Sequence, residues 1–155
     1  PGSSPALTAT TGCWKRPGLR AVPLRCRACW TTGCTSCGPG TGWKSWCARL
    51  KSHGYCVYYL SNIPQDVLDL LRDRGVLDGF DGGVASCEVH INKPDPKIYK
   101  ALLDKYSLKA EECVFIDDRL ENVQAAFALG FAGIQMKDSV GTLVRSLATC
   151  NVTLR

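Results

Sequence analysis

The chain reads Cys113-Val114-Phe115-Ile116-Asp117-Asp118-Arg119-Leu120-Glu121-Asn122-Val123-Gln124-Ala125-Ala126 between residues 113 and 126. A short apolar run stops at two adjacent carboxylates, and the apolar residues that follow recur at helical spacing. This pattern predicts a buried parallel strand that presents Asp117 and Asp118 at the start of a helix, where open α/β sheets bind ligands. Two adjacent carboxylates repel each other unless a cation or proton lies between them, so the pair predicts a hard metal such as Mg²⁺. The alternative is that one of them only caps the helix.

The bulk composition is that of an ordinary single domain. The chain has 155 residues, of which 45% are hydrophobic and 21% charged, so it is long enough to form a core. It contains no long apolar run, and we expect no membrane-spanning helix. Residues 1–5 do not combine a basic segment with an apolar one, so we expect no secretory signal and a cytoplasmic location.

The charge is divided unevenly along the chain. Residues 1–65 contain eight Lys or Arg and no Asp or Glu, whereas residues 66–155 carry all fourteen acidic residues. Such a division can indicate a basic nucleic-acid-binding arm. The eight basic residues are scattered rather than clustered, which is a weak electrostatic footprint, and we expect no nucleic-acid partner.

Residues 1–47 show no strand or helix period and are rich in Cys, Arg and Trp. We interpret 1–47 as an unassigned segment, translated out of frame or disordered, and 48–155 as the folded domain. The alternative is a zinc or iron–sulfur site at Cys26, Cys29, Cys34 and Cys37. Only four residues separate the two Cys-x-x-Cys pairs, which leaves little room for the chain that normally folds between such pairs.

From residue 48 onward, apolar runs alternate with segments of helical period. The runs 55–60, 84–89, 113–116 and 132–136 predict strands, and 48–53, 64–74, 96–106, 119–129 and 139–148 predict helical segments. This alternation predicts an α/β fold, a Rossmann-like parallel sheet with helices on both faces.

Polar residues follow three of the predicted strands. Ser61 and Asn62 follow the first, Lys93 lies in the loop after the second, and Asp117 and Asp118 end the third. A hydroxyl with a backbone amide, an ammonium group and a metal-binding carboxylate pair together make a phosphate pocket. Taken singly, each residue has a structural explanation as a turn residue, a solvated charge or a cap.

Three segments together resemble motifs of the haloacid dehalogenase superfamily of phosphohydrolases. They are Tyr58–Asn62, Glu88–Tyr99, and Val114–Asp118 with Asn122. The resemblance covers about residues 48–138 and is strongest to sugar-phosphate phosphatases and the amino-terminal phosphatase domains of epoxide hydrolases. It implies a small phosphorylated metabolite as substrate and Mg²⁺ as cofactor.

The resemblance also implies a role for each site residue. Ser61 and Asn62 would bind the phosphoryl group, and Lys93 would be catalytic, holding the charges of the nucleophile and the phosphate together. Asp118 would be the Mg²⁺ ligand, with Asp117 beside it.

One motif of that superfamily is not found in the sequence. Its first strand ends in Asp-x-Asp, which supplies the nucleophile and the general acid, but no Asp or Glu precedes Asp66. The first strand and the substrate-selecting cap are likewise unrecognisable, so we expect an incomplete sheet. Residues 19–24 are the best candidate for the missing strand, although Pro23 suits a central strand poorly.

The sequence therefore predicts a Mg²⁺-dependent phosphatase by family. In this copy we expect weakened Mg²⁺ binding and no activity. The alternative is a non-catalytic remnant that binds phosphate or a protein.

Overall fold

The computed structural model describes residues 21–24, 41–136 and 146–147. The strands of this part are β1 (Ala21–Leu24), β2 (Cys56–Ser61), β3 (Gly82–Ala85), β4 (Val114–Asp117) and β5 (Ala132–Gln135). The α-helices are α1 (Thr41–Ser52), α2 (Gln65–Asp73), α3 (Ser86–Val89), α4 (Pro96–Lys105) and α5 (Leu120–Ala128). The helix predicted for 139–148 lies outside the described residues, apart from residues 146–147, which are helical.

The strands form one parallel sheet in the order β3-β2-β1-β4-β5. Each crossover between β2 and β5 contains a helix, because parallel neighbours need a long connection. The α/β class, with a Rossmann-like parallel sheet and helices on both of its faces, is confirmed. In the described residues, no helix is both long and apolar enough to cross a membrane.

Strand β1 lies in the middle of this sheet, between β2 and β4. It pairs with β2 at four positions, Ala21 to Leu24, and with β4 at one, Leu24 opposite Ile116. Pro23 has no amide hydrogen, so it cannot donate a hydrogen bond to a neighbouring strand. The strand suggested for residues 19–24 is therefore present at 21–24, in the centre of the sheet, despite the proline.

Helix α1 begins at Thr41 and ends at Ser52, followed by Gly54 in a left-handed conformation (φ 82°). The boundary placed after residue 47 thus falls inside this helix. Cys47 and Leu50 of the helix are fully buried against the sheet. Their spacing of three residues gives one apolar face, too short a pattern for the helix start to be recognised from sequence.

Alternate residues of the strands point into two separate cores. In β4, Val114 and Ile116 enter one core, whereas Phe115 enters the other. The first core contains Cys47, Leu50, Val57, Val114, Ile116, Ile134 and Leu147. The second contains Tyr58, Leu60, Val84, Cys113, Phe115 and Phe131 with residues of α4 and α5. Because both faces are covered, the strands read as continuous apolar runs.

The second predicted strand, 84–89, is wrong beyond Ala85. The strand is Gly82–Ala85, and the chain then turns into the short helix α3. Glu88 causes the change, because its Oε2 accepts a hydrogen bond from Ala85 N (2.9 Å) and closes a helical turn. The strand begins with two glycines, which sequence rules count against a strand. Gly83 is required there because a Cβ would collide with Tyr59 of β2.

Candidate phosphate site

The predicted site residues converge at the carboxyl ends of β2 and β4. Lys93 Nζ donates hydrogen bonds to Asp117 Oδ2 (2.8 Å) and to the backbone oxygen of Leu60 (2.7 Å). The side chains of both Lys93 and Asp117 are completely buried. The lysine therefore ties the end of β2 to the end of β4, across the carboxyl end of β1.

Both oxygens of Asp117 are engaged by the protein. Oδ2 accepts from Lys93, while Oδ1 accepts from Arg119 N (2.9 Å) and from Asn122 Nδ2 (3.0 Å). Burial by itself raises the pKa of Asp117, but the Lys93 ammonium and these hydrogen bonds outweigh it, so the pKa lies below its ordinary value. Asp117 is a buried, ionised carboxylate whose two oxygens together accept three hydrogen bonds.

The neighbouring carboxylate, Asp118, differs in its bonding. Its Oδ1 is buried and has no hydrogen-bond partner among the described residues, and the same holds for Asn122 Oδ1. A buried oxygen without a donor is costly, and oxygen ligands are those that Mg²⁺ prefers. Asn122 is held in place by Tyr99, whose hydroxyl donates to Asn122 O (2.9 Å).

These oxygens fit a magnesium site only in part. Within the described ranges, no group of three or more His, Cys, Asp or Glu is placed to hold a metal. Mg²⁺ in proteins is often held by one or two carboxylates, with waters and substrate phosphate completing its shell. A magnesium ion here would therefore take Asp118 as a carboxylate ligand and complete its shell with water and phosphate.

The loop after β2 contains the remaining predicted residues. The Ser61 hydroxyl has no hydrogen-bond partner in the part of the chain that the structure describes and is partly exposed. Both polar groups of the Asn62 side chain are already hydrogen-bonded: Oδ1 accepts from Lys93 N (2.8 Å) and Nδ2 donates to Lys93 O (3.0 Å). A phosphate at this loop would meet the Ser61 hydroxyl and the Asn62 backbone rather than the Asn62 side chain.

Sequence reasoning gave no site role to two residues around the site. Tyr99 is one, since it supports Asn122, a residue of the third predicted motif that in turn bonds to Asp117. Ser86 is the other, and it bonds to the loop after β2 through Ile63, with Oγ 3.1 Å from Ile63 N. Ser86 was hidden inside the strand wrongly extended to residue 89. The helix-forming Glu88 three residues after Ala85 was the signal that could have revealed it.

The carboxyl end of β1 lies between Ser61 and Asp117 in the strand order. The residues that follow Leu24 in the sequence are Arg25, Cys26 and Arg27. No carboxylate occurs in the sequence before Asp66.

The structure thus shows a parallel α/β sheet with a buried lysine–aspartate pair at its strand ends, the edge at which open α/β sheets bind ligands. Residues 42–130 match the haloacid dehalogenase-like hydrolase family, which is more than half of the chain. The chain belongs to that family.

Relatives of known function agree with this membership. A sesquiterpene phosphatase of Aspergillus oryzae is 38% identical over 123 residues, covering 77% of this chain and 62% of that protein. A bifunctional epoxide hydrolase of Rattus norvegicus is 39% identical over 101 residues, covering 62% of this chain and 18% of that protein. The chain thus spans less than two thirds of the length of either relative.

Solved structures give the same fold. A haloacid dehalogenase family enzyme from Bacteroides thetaiotaomicron, solved with magnesium and inorganic phosphate, is 26% identical with a TM-score of 0.58. The match covers 67% of this chain and 58% of that one. A protein from Corynebacterium glutamicum has a higher TM-score, 0.71, over 88% of this chain and 98% of that one, but at 22% identity it supports the fold alone.

Proposed function

We propose that this chain carries the phosphate site of a Mg²⁺-dependent phosphatase for small phosphate monoesters, and that this copy binds phosphate without hydrolysing it. The observation that carries the proposal is the meeting of Ser61, Lys93 and Asp118 at one edge of the sheet. The hydroxyl of Ser61 and one carboxylate oxygen of Asp118 have no partner in the described part of the chain. Both therefore have bonding capacity that the described residues do not use.

Each residue has a distinct part in this proposal. Ser61 Oγ and the Asn62 backbone amide donate hydrogen bonds to phosphate oxygens, and Lys93 contributes positive charge from beneath the site. Asp118 holds Mg²⁺, with Asp117 fixing the lysine beside it. When bound, the metal neutralises charge on the phosphate oxygens.

The absence of turnover follows from the residues after β1. Hydrolysis in this superfamily, as the resemblance implies, starts with attack by an aspartate at the end of the central strand. Arg25, Cys26 and Arg27 stand after that strand instead. The sesquiterpene phosphatase and the structure with magnesium and phosphate support the substrate class and the cofactor. No contact within the described residues favours the protein-binding alternative.

The cysteines of the described region support a cytoplasmic site of action. Cys47, Cys56, Cys87 and Cys113 are all free, which is usual in a reducing compartment. Burial raises the pKa of Cys47 and of Cys113 to about 12, so these two thiols stay protonated and inert.

The test combines turnover with binding. Purified protein is assayed with p-nitrophenyl phosphate and Mg²⁺, and its melting temperature is measured with inorganic phosphate against chloride at equal ionic strength. We expect no turnover, and a phosphate-dependent rise in melting temperature because phosphate binds only the folded state. Ser61→Ala should weaken phosphate binding about tenfold, since hydrogen bonds to charged groups are worth about 1.5–3 kcal/mol.

Matched variants separate the site from general effects. Ser52→Ala and Asp66→Asn change the same residue types on exposed helix positions and should leave phosphate binding unchanged. Asp118→Asn should remove the additional rise in melting temperature that Mg²⁺ gives in the presence of phosphate. Turnover that Asp118→Ala abolishes would contradict the inactivity, and an absent phosphate effect would contradict the site itself.

A further inference from the structure

Strands β2 and β3 are joined beyond their last paired residues by a side chain. The final pair of the ladder is Ser61 opposite Ala85. The residue that follows β3, Ser86, begins helix α3, so its backbone does not continue the pairing with β2. The Ser86 side chain continues the connection to the chain after β2, because its Oγ accepts a hydrogen bond from Ile63 N (3.1 Å) and donates one to Ile63 O (3.3 Å).

The bond is well placed to hold the loop that follows β2. Ser86 is 8% exposed, so water does not readily replace it. On the other side of the loop, the Asn62 side chain makes the same two-way bond to the backbone of Lys93. Two adjacent residues of the loop are thus each fixed through both a donor and an acceptor: Ile63 by Ser86 of α3, and Asn62 by the backbone of Lys93.

The helix that supplies Ser86 is itself anchored. Glu88 accepts from Ala85 N through Oε2 and forms an ion pair through Oε1 with Arg72 of α2, at 2.9 Å. Helix α2 starts directly after the loop, at Gln65. The loop and the helix that follows it are therefore both fastened to the four residues of α3.

We infer that Ser86 is a positioning residue for phosphate: it holds the loop so that Ser61 Oγ and the Asn62 amide face the bound anion. The inference rests on the proposed function and extends it to a residue that makes no contact with the ligand. Without the hydroxyl, Ile63 loses a donor and an acceptor, and the loop populates its binding-competent shape only part of the time. The apparent dissociation constant rises in proportion to the population lost.

A matched control exists in the same sheet. The Tyr106 hydroxyl accepts from Gly83 N (2.7 Å) and donates to Gly83 O (3.1 Å), which is the bonding pattern of Ser86 and Ile63. Gly83 lies within β3, away from the loop after β2. Tyr106→Phe therefore removes an equivalent pair of bonds from the fold without touching the site.

The experiment measures the dissociation constant of inorganic phosphate with Mg²⁺, well below the melting temperature of every variant. Ser86→Ala should weaken phosphate binding about three- to tenfold, and Ser86→Thr, which keeps the hydroxyl, should recover at least part of the loss. Tyr106→Phe should lower the melting temperature about as much as Ser86→Ala while leaving phosphate binding unchanged. Amide hydrogen exchange should speed up at Ile63 in Ser86→Ala and not in Tyr106→Phe.

Each outcome bears on the inference. Equal weakening in Ser86→Ala and Tyr106→Phe would show a general loss of stability and overturn it, as would wild-type phosphate binding in Ser86→Ala. If the wild type binds no phosphate, the proposed function fails, and the amide exchange of Ile63 still decides whether Ser86 holds the loop. Unchanged exchange there refutes the positioning role in every case.

Discussion

Strands β1 and β4 are neighbours at the centre of the sheet, and their carboxyl ends differ completely. Strand β4 ends in Asp117, a buried carboxylate with hydrogen bonds to both oxygens. Strand β1 ends at Leu24, and the sequence continues with two arginines and a cysteine. The place of a strand in a sheet depends on its backbone pairing and its apolar residues. The chemistry at the end of a strand depends on the one or two residues that follow the strand. A strand can therefore keep its place in the sheet while the chemistry at its end differs.

The difference has a consequence for what the buried ion pair contributes. The family resemblance implies that Lys93 serves a nucleophile at the end of the central strand. In this chain its observed partners are Asp117 and the backbone of Leu60. The lysine therefore connects β2 to β4 whether or not the residues after β1 support catalysis. Breaking the pair is therefore expected to destabilise the strand ends.

The largest expected effect comes from breaking that pair. Lys93→Met leaves the Asp117 charge buried without its ammonium, and we expect a loss of about 3–5 kcal/mol in the free energy of unfolding. That is a large share of the roughly 5–15 kcal/mol by which a domain is stable. Urea unfolding followed by circular dichroism measures it.

Two further variants make the result specific to a buried pair. Lys93→Met/Asp117→Asn removes both charges and keeps an acceptor for Arg119 and Asn122, so it should be more stable than Lys93→Met alone. Lys51→Met breaks the partly exposed pair with Asp81 (2.8 Å) and should cost about 0–1 kcal/mol. A cost for Lys93→Met no larger than that of Lys51→Met would contradict the buried, ionised state of the pair.

Lowering the pH should reduce the free energy of unfolding by a smaller amount. Because the pKa of Asp117 is lower in the folded chain, the unfolded chain takes up the proton first as the pH falls. The stability that Asp117 contributes is therefore complete above its unfolded pKa of about 3.9 and is lost as the pH falls from there through the folded value. Between pH 7 and about 5 this group should cause no change.

The double variant provides the reference for that measurement. The difference in free energy of unfolding between the wild type and Lys93→Met/Asp117→Asn should stay constant from pH 7 to about 5 and change in favour of the variant below about 4. A difference that instead shifts near neutral pH would show that another group titrates, and would remove Asp117 as the source.

Much of the fold was predictable because the domain is locally regular. The strands that end at Ser61 and Asp117 have long apolar runs followed by polar residues, and both lie where the pattern places them. Strand β3 was misplaced because its residues, Gly82–Ala85, have poor strand propensity and owe their place to pairing with β2. Strand β1 was uncertain for a similar reason, since its proline argues against the position that it occupies.

The candidate site was predictable only as a set of residues. Sequence order showed that Ser61, Lys93 and Asp118 follow strands that end at one edge of the sheet. Sequence order could not show that the Asn62 side chain bonds to Lys93. Nor could it show that both oxygens of Asp117 accept hydrogen bonds while one oxygen of Asp118 has no partner. Those distinctions arise from contacts between residues 5 to 31 positions apart, which no local pattern records.

The smallest expected effect concerns strand β1 itself. Pro23 pairs with Tyr58 in the middle of the sheet and has no amide hydrogen to offer. Pro23→Val restores a donor and introduces a residue that favours strands, so we expect the free energy of unfolding to rise by about 0.5–1.5 kcal/mol. In a flexible segment, replacing a proline should instead lower the free energy of unfolding, because the unfolded chain gains conformational freedom.

The sign of the change therefore tests whether β1 belongs to the sheet. Pro64→Val is the control, since Pro64 precedes α2 at an exposed position and its removal should lower stability slightly through the unfolded chain. If Pro23→Val also lowers the urea midpoint, residues 21–24 do not hold the central place, and β2 and β4 must find another neighbour. If it raises the midpoint while Pro64→Val lowers it, the central strand is in place. The proposed lack of turnover then depends only on the few residues that follow Leu24.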